Sequence, residues 1–482
     1  MSLVSRGFIW SAIERFSIQG ISFLLSIIIA RIVSPSSYGL IVMIQVFLSF
    51  SQLFIDSGFS NALIQKKNRT EIDYCTVFLF NMAVAIIFYV LLFFASPYIA
   101  KFYNEPQLTK ITRVVSLNLI LSSFSILQKT RLTIDLDFKT QTKAGLIAVI
   151  ISGIVGVICA YSGMEVWALV VQSLLSQVII SLFLMYFSRW MPKLRFSRES
   201  FNGLFKYGSK LLANNILTSL YINIYNLVIG KKYTSADLAF YNRAFTLSQF
   251  PSVNIAEVLN RVIFPILTKV QDDREKLKEC YFKYLHLSHY IILPLMGFLI
   301  VLAKPLVVVV LTEKWLPTVP YLQLFCVNFM LYPIMQQAGN PVAAIGHVGI
   351  LLKYQFVKRG VSFLILIATI GLGIPAICIG IVVSSVFEVF INVYIEKKEI
   401  GIGFFEQFKS QIDVLLLVLM TCVFVYLSIM FFSDYLVQLI IGSFVGLSIY
   451  MLGTYLFNIR EKAYINQLIE SFWSRVKNKG DE

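Results

Sequence analysis

YCTVFLFNMAVAIIFYVLLFFASP, residues 74–97, decides the fold class, because no charged side chain interrupts it. In a helix such a run is about 36 Å long, more than the ~30 Å of hydrocarbon in a bilayer. Working outward from it, apolar segments recur near 8–32, 39–62, 111–128, 144–161, 164–187, 207–230, 239–264, 285–309, 319–338, 354–373, 374–395, 411–432 and 435–457. With the quoted run they make fourteen spans. The sequence therefore predicts an all-α membrane protein with about 14 transmembrane helices. Composition agrees: hydrophobic residues are 57% and charged residues 14% of 482, where a soluble domain carries about a quarter charged. Glu14 and Arg15 interrupt the first span, so it does not read as a cleaved signal peptide.

The net charge of +15 has an explanation other than nucleic acid, which is not an expected partner. Alternate loops hold 27 lysines and arginines on one side and 7 on the other. By the positive-inside rule the rich side and both termini are cytoplasmic. Six scattered cysteines and three histidines form no CxxC or metal-ligand cluster, so neither a disulfide scaffold nor a metal site is expected. Residues 458–482 carry Ile465, Leu468, Ile469, Phe472, Trp473 and Val476 at helical spacing, with Arg475, Lys477 and Lys479 for lipid phosphates. They read as a cytoplasmic amphipathic tail.

A weak repeat appears at an offset of 200 residues. Arg31, Ser34, Ser37, Gly39 and Leu40 align with Lys231, Thr234, Asp237, Ala239 and Phe240. Six spans separate the copies, so they share one orientation and an axis along the membrane normal. The expected organisation is two six-helix lobes around a central cleft: an N-lobe over 1–200 and a C-lobe over 201–400. Two additional spans over 401–457 follow.

Charges inside spans are costly and usually face a cavity or a partner. The spans hold Arg15, Arg113, Lys210, Arg243, Arg261, Lys358 and Arg359 against Glu14, Asp56, Glu257 and Glu388, a basic excess. Helical phase arranges polar residues in stripes: Ser11, Arg15, Gln19, Ser22, Ser26 on the first span, and Gln45, Ser49, Gln52, Asp56, Ser60 on the second. Lys210, Asn214, Thr218, Tyr221 and Tyr225 mark the seventh span, and Arg243, Asn254, Glu257 and Arg261 the eighth. Interhelical hydrogen bonding is the simpler reading of any one serine or asparagine, and Glu257 and Arg261 are spaced to neutralise one another. Arg113 lies near a span end and is expected to snorkel.

By depth, Arg15, Lys210, Arg261, Lys358 and Arg359 belong to the cytoplasmic half; Arg31 and Arg243 lie toward the outside. Basic groups at both mouths suit an anionic cargo, phosphate above all. The candidate binding residues are Arg15, Arg31, Asp56, Lys210, Arg243, Glu257, Arg261, Lys358 and Arg359. No catalytic signature is present, and Gly230-Lys231-Lys232 has Tyr225 where a P-loop needs its first glycine. An enzyme is therefore not expected. No cofactor is expected either; coupling to H⁺ or Na⁺ is open.

Several stretches resemble a known family. Ala30-Arg31-Ile32-Val33-Ser34-Pro35 with Tyr38-Gly39-Leu40, and Asp56-Ser57-Gly58 leading to Ala62-Leu63-Ile64-Gln65-Lys66-Lys67, are similar to Wzx-like polysaccharide flippases. So are Asp137-Phe138-Lys139, Phe240-Tyr241-Asn242-Arg243-Ala244, and Phe264-Pro265 running into Gln271-Asp272-Asp273, with Ala239 a departure from the expected glycine. These flippases are the polysaccharide transporter branch of the multidrug/oligosaccharidyl-lipid/polysaccharide flippase superfamily, exporting colanic-acid, teichuronic-acid or O-antigen units. The resemblance implies alternating-access flipping of undecaprenyl-diphosphate-linked oligosaccharide repeat units across the bacterial cytoplasmic (inner) membrane, for surface polysaccharide or lipopolysaccharide. Membrane lipids and polysaccharide polymerase machinery are the implied partners. Two alternatives stand: an ion-coupled multidrug or metabolite antiporter of the same superfamily, which should show an acidic rather than a basic excess, and a membrane O-antigen polymerase or ligase, which should have a sizeable external loop.

Overall fold

A computed structural model describes residues 3–188, 190–457 and 459, with side chains placed from Ser17 onward except at 214, 217, 348 and 352. The tail expected over 458–482 falls, but for Ile459, outside the described residues, as does the Arg15 side chain. By its internal packing the chain divides into two units, Met1–Ala239 and Phe240–Glu482.

The first unit contains α1 (Leu3–Ile32), α2 (Pro35–Asp56), α3 (Phe59–Gln65), α4 (Glu71–Tyr103), α5 (Leu108–Val115), α6 (Leu117–Ile134), α7 (Phe138–Tyr161), α8 (Val166–Ser188) and α9 (Arg198–Lys232). Local chemistry sets the ends. Proline opens α2 behind a Ser34 cap. Thr70 and Asp73 box the start of α4, and Asp137 caps α7 by accepting from Thr140 N at 3.0 Å. Between α2 and α3, Ser57 and Gly58 both turn left-handed, at φ 46° and 71°.

Small residues then let the helices close. A Cβ on Gly145 would lie 2.3 Å from Ile18 Cδ1, and one on Gly153 2.2 Å from Leu25 Cδ1, so α7 receives α1 against its glycine face. At opposite ends of α2 two backbone contacts exclude side chains altogether. A Cβ on Gly39 would stand 1.7 Å from Ser235 O, and one on Gly58 2.7 Å from Gly208 O. α9 thus packs within the first unit, whereas the repeat places it at the head of the second lobe; packing and sequence similarity are different criteria.

The repeated turns share a cap. Ser34 accepts from Ser37 N at 3.4 Å, and Thr234 from Asp237 N at 3.1 Å. The likeness at an offset of 200 residues therefore has a local physical basis.

α10 (Ser235–Lys269) leads into the second unit, followed by α11 (Arg274–Val301), α12 (Ala303–Leu311), α13 (Thr318–Met330), α14 (Tyr332–Gln337), α15 (Gly339–Ala344), α16 (Val348–Thr369), α17 (Ile374–Ile400), α18 (Phe404–Lys409), α19 (Ile412–Ile429) and α20 (Tyr435–Leu456). α11 runs without a break from Arg274, so its first turns carry the mixed charges up to Lys283. Asp273 caps it, and the hydrogen bond from Lys276 holds its exposed carboxyl below the usual range. Pro251 and Pro294 lie inside continuous helices. Only Pro333, of these three, marks a break, with a 41° bend between Thr318–Met330 and Tyr332–Ala344. The last two helices pack on α11, where Tyr450 OH donates to Tyr290 O at 2.7 Å, and on each other, where Gly453 admits Leu417.

Among the described residues, ten helical segments are long and apolar enough to cross a membrane, or eleven with the bent pair. Expected spans one, seven and eleven fall on α1, α9 and α16, which miss that test. Of the 30-residue α1, the part with described side chains supplies the apolar stretch Ser17–Ile32, and the other two carry polar stripes. Exposed faces elsewhere are strongly apolar: Ile87, Leu91, Phe94 and Tyr98 on α4, and Leu416, Val423 and Tyr426 on α19. Water would not support so large an apolar surface; a bilayer does.

Candidate functional site

In the second unit, charge is gathered along one face of α17. Glu388, Asn392 and Glu396 recur every four residues, so their side chains stack on one side of the helix. Lys358, on α16, reaches into this row. Its ammonium lies 3.6 Å from Glu388 Oε1 and donates to Asn392 Oδ1, and only 7% of the residue is exposed. Asn392 Nδ2 in turn donates to Met335 O at 3.3 Å. One turn on, Glu396 is wholly buried; Gln407 Nε2 donates to it at 2.5 Å, and Tyr281 OH donates to Gln407 Oε1 at 3.4 Å. In the other direction Ser385 donates to Asn328 Oδ1 at 2.6 Å. The result is a polar file of three bonded groups set one after another along one face of α17. Two carboxyl groups and one amine form its titratable part, an arrangement suited to a mobile proton or cation.

The sequence singled out Lys358 and Glu388 but not Asn392, Glu396 or Gln407. The four-residue period was readable, but helical phase does not say which face is buried. Lys358 is buried and Arg359 is half-buried, as adjacent positions on a helix require.

The other candidates fall in varied surroundings. Arg243 is 7% exposed, its guanidinium 5.3 Å from the ring of the fully buried Trp315. Arg261 and Lys210 are exposed, and Glu257 is half-buried with an interacting neighbour. Asp56 accepts from Ser60 Oγ one turn along. Arg31 is exposed and engaged with a neighbour. Beside it the 34–37 turn is held by a residue the sequence reading missed: Glu165 Oε2 accepts from Ser34 Oγ at 2.9 Å and Ser37 Oγ at 3.0 Å. A partner 131 residues away leaves no local trace.

In the first unit the polar stripes are partly stitching. Ser122 donates to Gln52 Oε1 at 3.0 Å, tying α6 to α2, and Ser181 donates to Leu121 O at 2.9 Å. Arg113 does not stand free: its guanidinium stacks 4.4 Å from Phe93 and donates to Ser96 Oγ at 3.0 Å. Two cavities set polar side chains into largely apolar walls. One of about 460 Å³ brings Gln19 together with Lys129, Gln141 and Ser176, and another of about 630 Å³ lies among Gln65, Lys66, Lys67, Glu199 and Tyr207. Lys66 is committed to Asp73 at 2.7 Å, which leaves Lys67 as the exposed cation of the second cavity.

Comparison with known proteins follows from this architecture. The fold is similar to a solved structure of the lipid II flippase MurJ in an inward closed conformation, with a TM-score of 0.77 and 16% identity, covering 95% of this chain and 100% of that one. In sequence the chain is 27% identical over 389 residues to the lipopolysaccharide biosynthesis protein WzxC of Escherichia coli (strain K12), covering 80% of this chain and 78% of that protein. It is also 26% identical over 315 residues to the teichuronic acid biosynthesis protein TuaB of Bacillus subtilis (strain 168), covering 63% and 65% respectively. Residues 28–320 match the family described as polysaccharide biosynthesis proteins, more than half of the 482 residues, and the chain belongs to that family.

Proposed function

We propose that this protein flips undecaprenyl-diphosphate-linked oligosaccharide repeat units across the bacterial cytoplasmic membrane by alternating access, supplying surface polysaccharide. The observation that carries the reading is family membership over residues 28–320. Relatives named for lipopolysaccharide and teichuronic acid biosynthesis, and a flippase fold, support it. So does the basic excess within the spans, which an anionic diphosphate would neutralise. In this reading fourteen helices cross the membrane as two six-helix lobes and an added pair, with both termini cytoplasmic. Arg15, Lys210, Arg261, Lys358 and Arg359 serve the cytoplasmic half of the path, and Arg31 and Arg243 the outer half. Asp56 and Glu257 hold the sugar or balance charge. Any coupling to H⁺ or Na⁺ runs through the Lys358–Glu388–Asn392–Glu396 file, and a polymerase receives the flipped unit.

Arginine engages phosphate through two parallel N–H bonds that lysine cannot copy. Arg15→Ala or Arg261→Ala is expected to abolish export while the protein inserts at normal level, with lipid-linked units accumulating in the cytoplasmic leaflet. Arg15→Lys is expected to recover part of it. Loss of one charge-assisted bond weakens capture about tenfold to a hundredfold. Normal export by Arg15→Ala together with normal export by a Glu257→Gln/Arg261→Gln double variant would overturn the capture model.

A further inference from the structure

The short helix α18 presents its side chains the wrong way round for contact with water. Its amide residue Gln407 is buried at 3%, while Phe404, Phe405 and Phe408 are exposed at 39%, 85% and 49%. Gln407 is held inward by its bonds to Glu396 and Tyr281. Phe404 and Phe408 form a sheet with a ring of α17, and Phe405 meets it edge-on, 6.1 Å from Phe404 at 85°. Phe390 of α17 stacks on Phe404 with centroids 5.3 Å apart and planes 16° from parallel, and Phe404 stacks on Phe408 at 6.3 Å and 7°. Each such ring brings an apolar area of about 150–250 Å² that favours a cover of hydrocarbon over water.

Against this sheet lies a cleft of about 460 Å³ lined by Phe390, Tyr394, Lys397, Gly401, Phe404 and Glu406, among others. Lys397 and Glu406 are the ionisable groups of its lining, and Lys278, Lys398 and Lys409 make the surrounding corner basic. Lys397 is exposed on the wall, and a Cβ placed on Gly401 would lie 3.6 Å from Lys278 Nζ, so a second ammonium stands over the loop. Of the neighbouring acids, Glu399 lies 2.6 Å from His347, Glu275 lies 3.5 Å from Lys278, and Glu406 accepts from the neutral Gly403 N at 3.1 Å. Among the described residues, Lys397, Lys398 and Lys409 have no acidic group within 4.0 Å.

We propose that the α17–α18 corner binds an anionic glycerophospholipid, its acyl chain along the phenylalanine sheet and its phosphate on Lys397, with Lys278 beside it. On the topology proposed above this lipid belongs to the cytoplasmic leaflet. A ring sheet without cations would accept any lipid, and cations without rings would accept any anion; the two together select a phosphate that carries a chain. Because Gln407 joins α18 to the buried file, the bound lipid braces that file from outside.

The test is native mass spectrometry of the purified full chain with equimolar phosphatidylglycerol and phosphatidylcholine of identical acyl chains. Phosphatidylglycerol is expected to be retained about tenfold better, the factor of one charge-assisted contact. A Lys397→Gln/Lys278→Gln double variant loses that preference. Lys398→Gln, one residue outside the cleft lining, keeps it, and Phe405→Ser weakens retention of both lipids. Equal retention of the two lipids by the unaltered chain overturns the proposal. So does a preference that survives the double variant, full competition by inorganic phosphate, or a dimer mass in place of a lipid adduct. None of these readouts involves transport, so the lipid site and the flippase function stand or fall separately.

Discussion

The α1–α2–α7 region of the first unit and the α16–α17 region of the second solve the problem of polarity in hydrocarbon by opposite means. The first uses neutral groups in small amounts: serine hydroxyls returned to backbone carbonyls, such as Ser51 to Phe47 O at 2.9 Å, and glycines that let whole helices touch. Apart from Asp73 at the start of α4, the buried polar side chains described in that unit are uncharged. The second region buries Lys358 and Glu396 outright, with Glu388 close by. Neutral stitching gives close packing at low electrostatic cost. Buried charge costs several kcal/mol per ion unless it is matched. Two halves of an apparent repeat thus need not bury polarity in the same way.

The charged region should be the more fragile when a single partner is removed. Lys358→Met leaves Glu388 and Asn392 without their donor and is expected to destabilise the fold by about 3 kcal/mol. Chemical denaturation in detergent measures this. A Lys358→Met/Glu388→Gln double variant should recover most of the loss. If the single variant is as stable as the parent, the file is solvated and the contrast with the first unit breaks.

A smaller effect is expected where backbone meets backbone. Gly39→Ala would push a methyl onto Ser235 O and should cost about 1–3 kcal/mol, with export reduced in step. Gly20→Ala, which meets nothing within 4 Å, should change stability by less than about 0.5 kcal/mol. Equal thermal shifts for the two would mean that the Gly39 contact is not a packing constraint.

The smallest effect belongs to a single stitch. Ser181→Ala removes the bond to Leu121 O and should cost about 0.6 kcal/mol, the average for one hydrogen bond between membrane helices. A loss above about 2 kcal/mol would show that this hydroxyl is part of a larger network, and the two regions would then differ less than proposed.

Much of the fold was open to reading from the chain. Residues 74–97 fall within the 33-residue α4, and each expected span overlaps one helix or two consecutive ones, because length without charge leaves a backbone in hydrocarbon few alternatives. The repeat at 31–40 and 231–240 was visible because an N-cap needs particular residues at fixed spacing. The candidate site was less legible. Lys358 and Glu388 stood out as charges in apolar runs, yet their partner Asn392 and the file's far end at Glu396 did not. Asparagine is common in spans, and Glu396 precedes Lys397 and Lys398 in what reads as a solvated helix end. The hydroxyls of Ser34 and Ser37 could have faced anything; Glu165 is their acceptor only because α7 and α8 return to that turn.

Sequence alone determined what hydrophobicity and charge dictate locally: helices long enough to span, an excess of cations along them, and capped turns between them. These follow from interactions within a few residues, or between a residue and its solvent. Tertiary structure decided which polar face is buried. It gathered Lys358, Glu388 and Asn392 from two helices, committed Arg113 to Phe93 and Ser96, and turned Gln407 inward while leaving three phenylalanines outside. Helical phase places a stripe on a helix, but only the neighbour that packs against the stripe determines whether it is glue, counter-ion or surface.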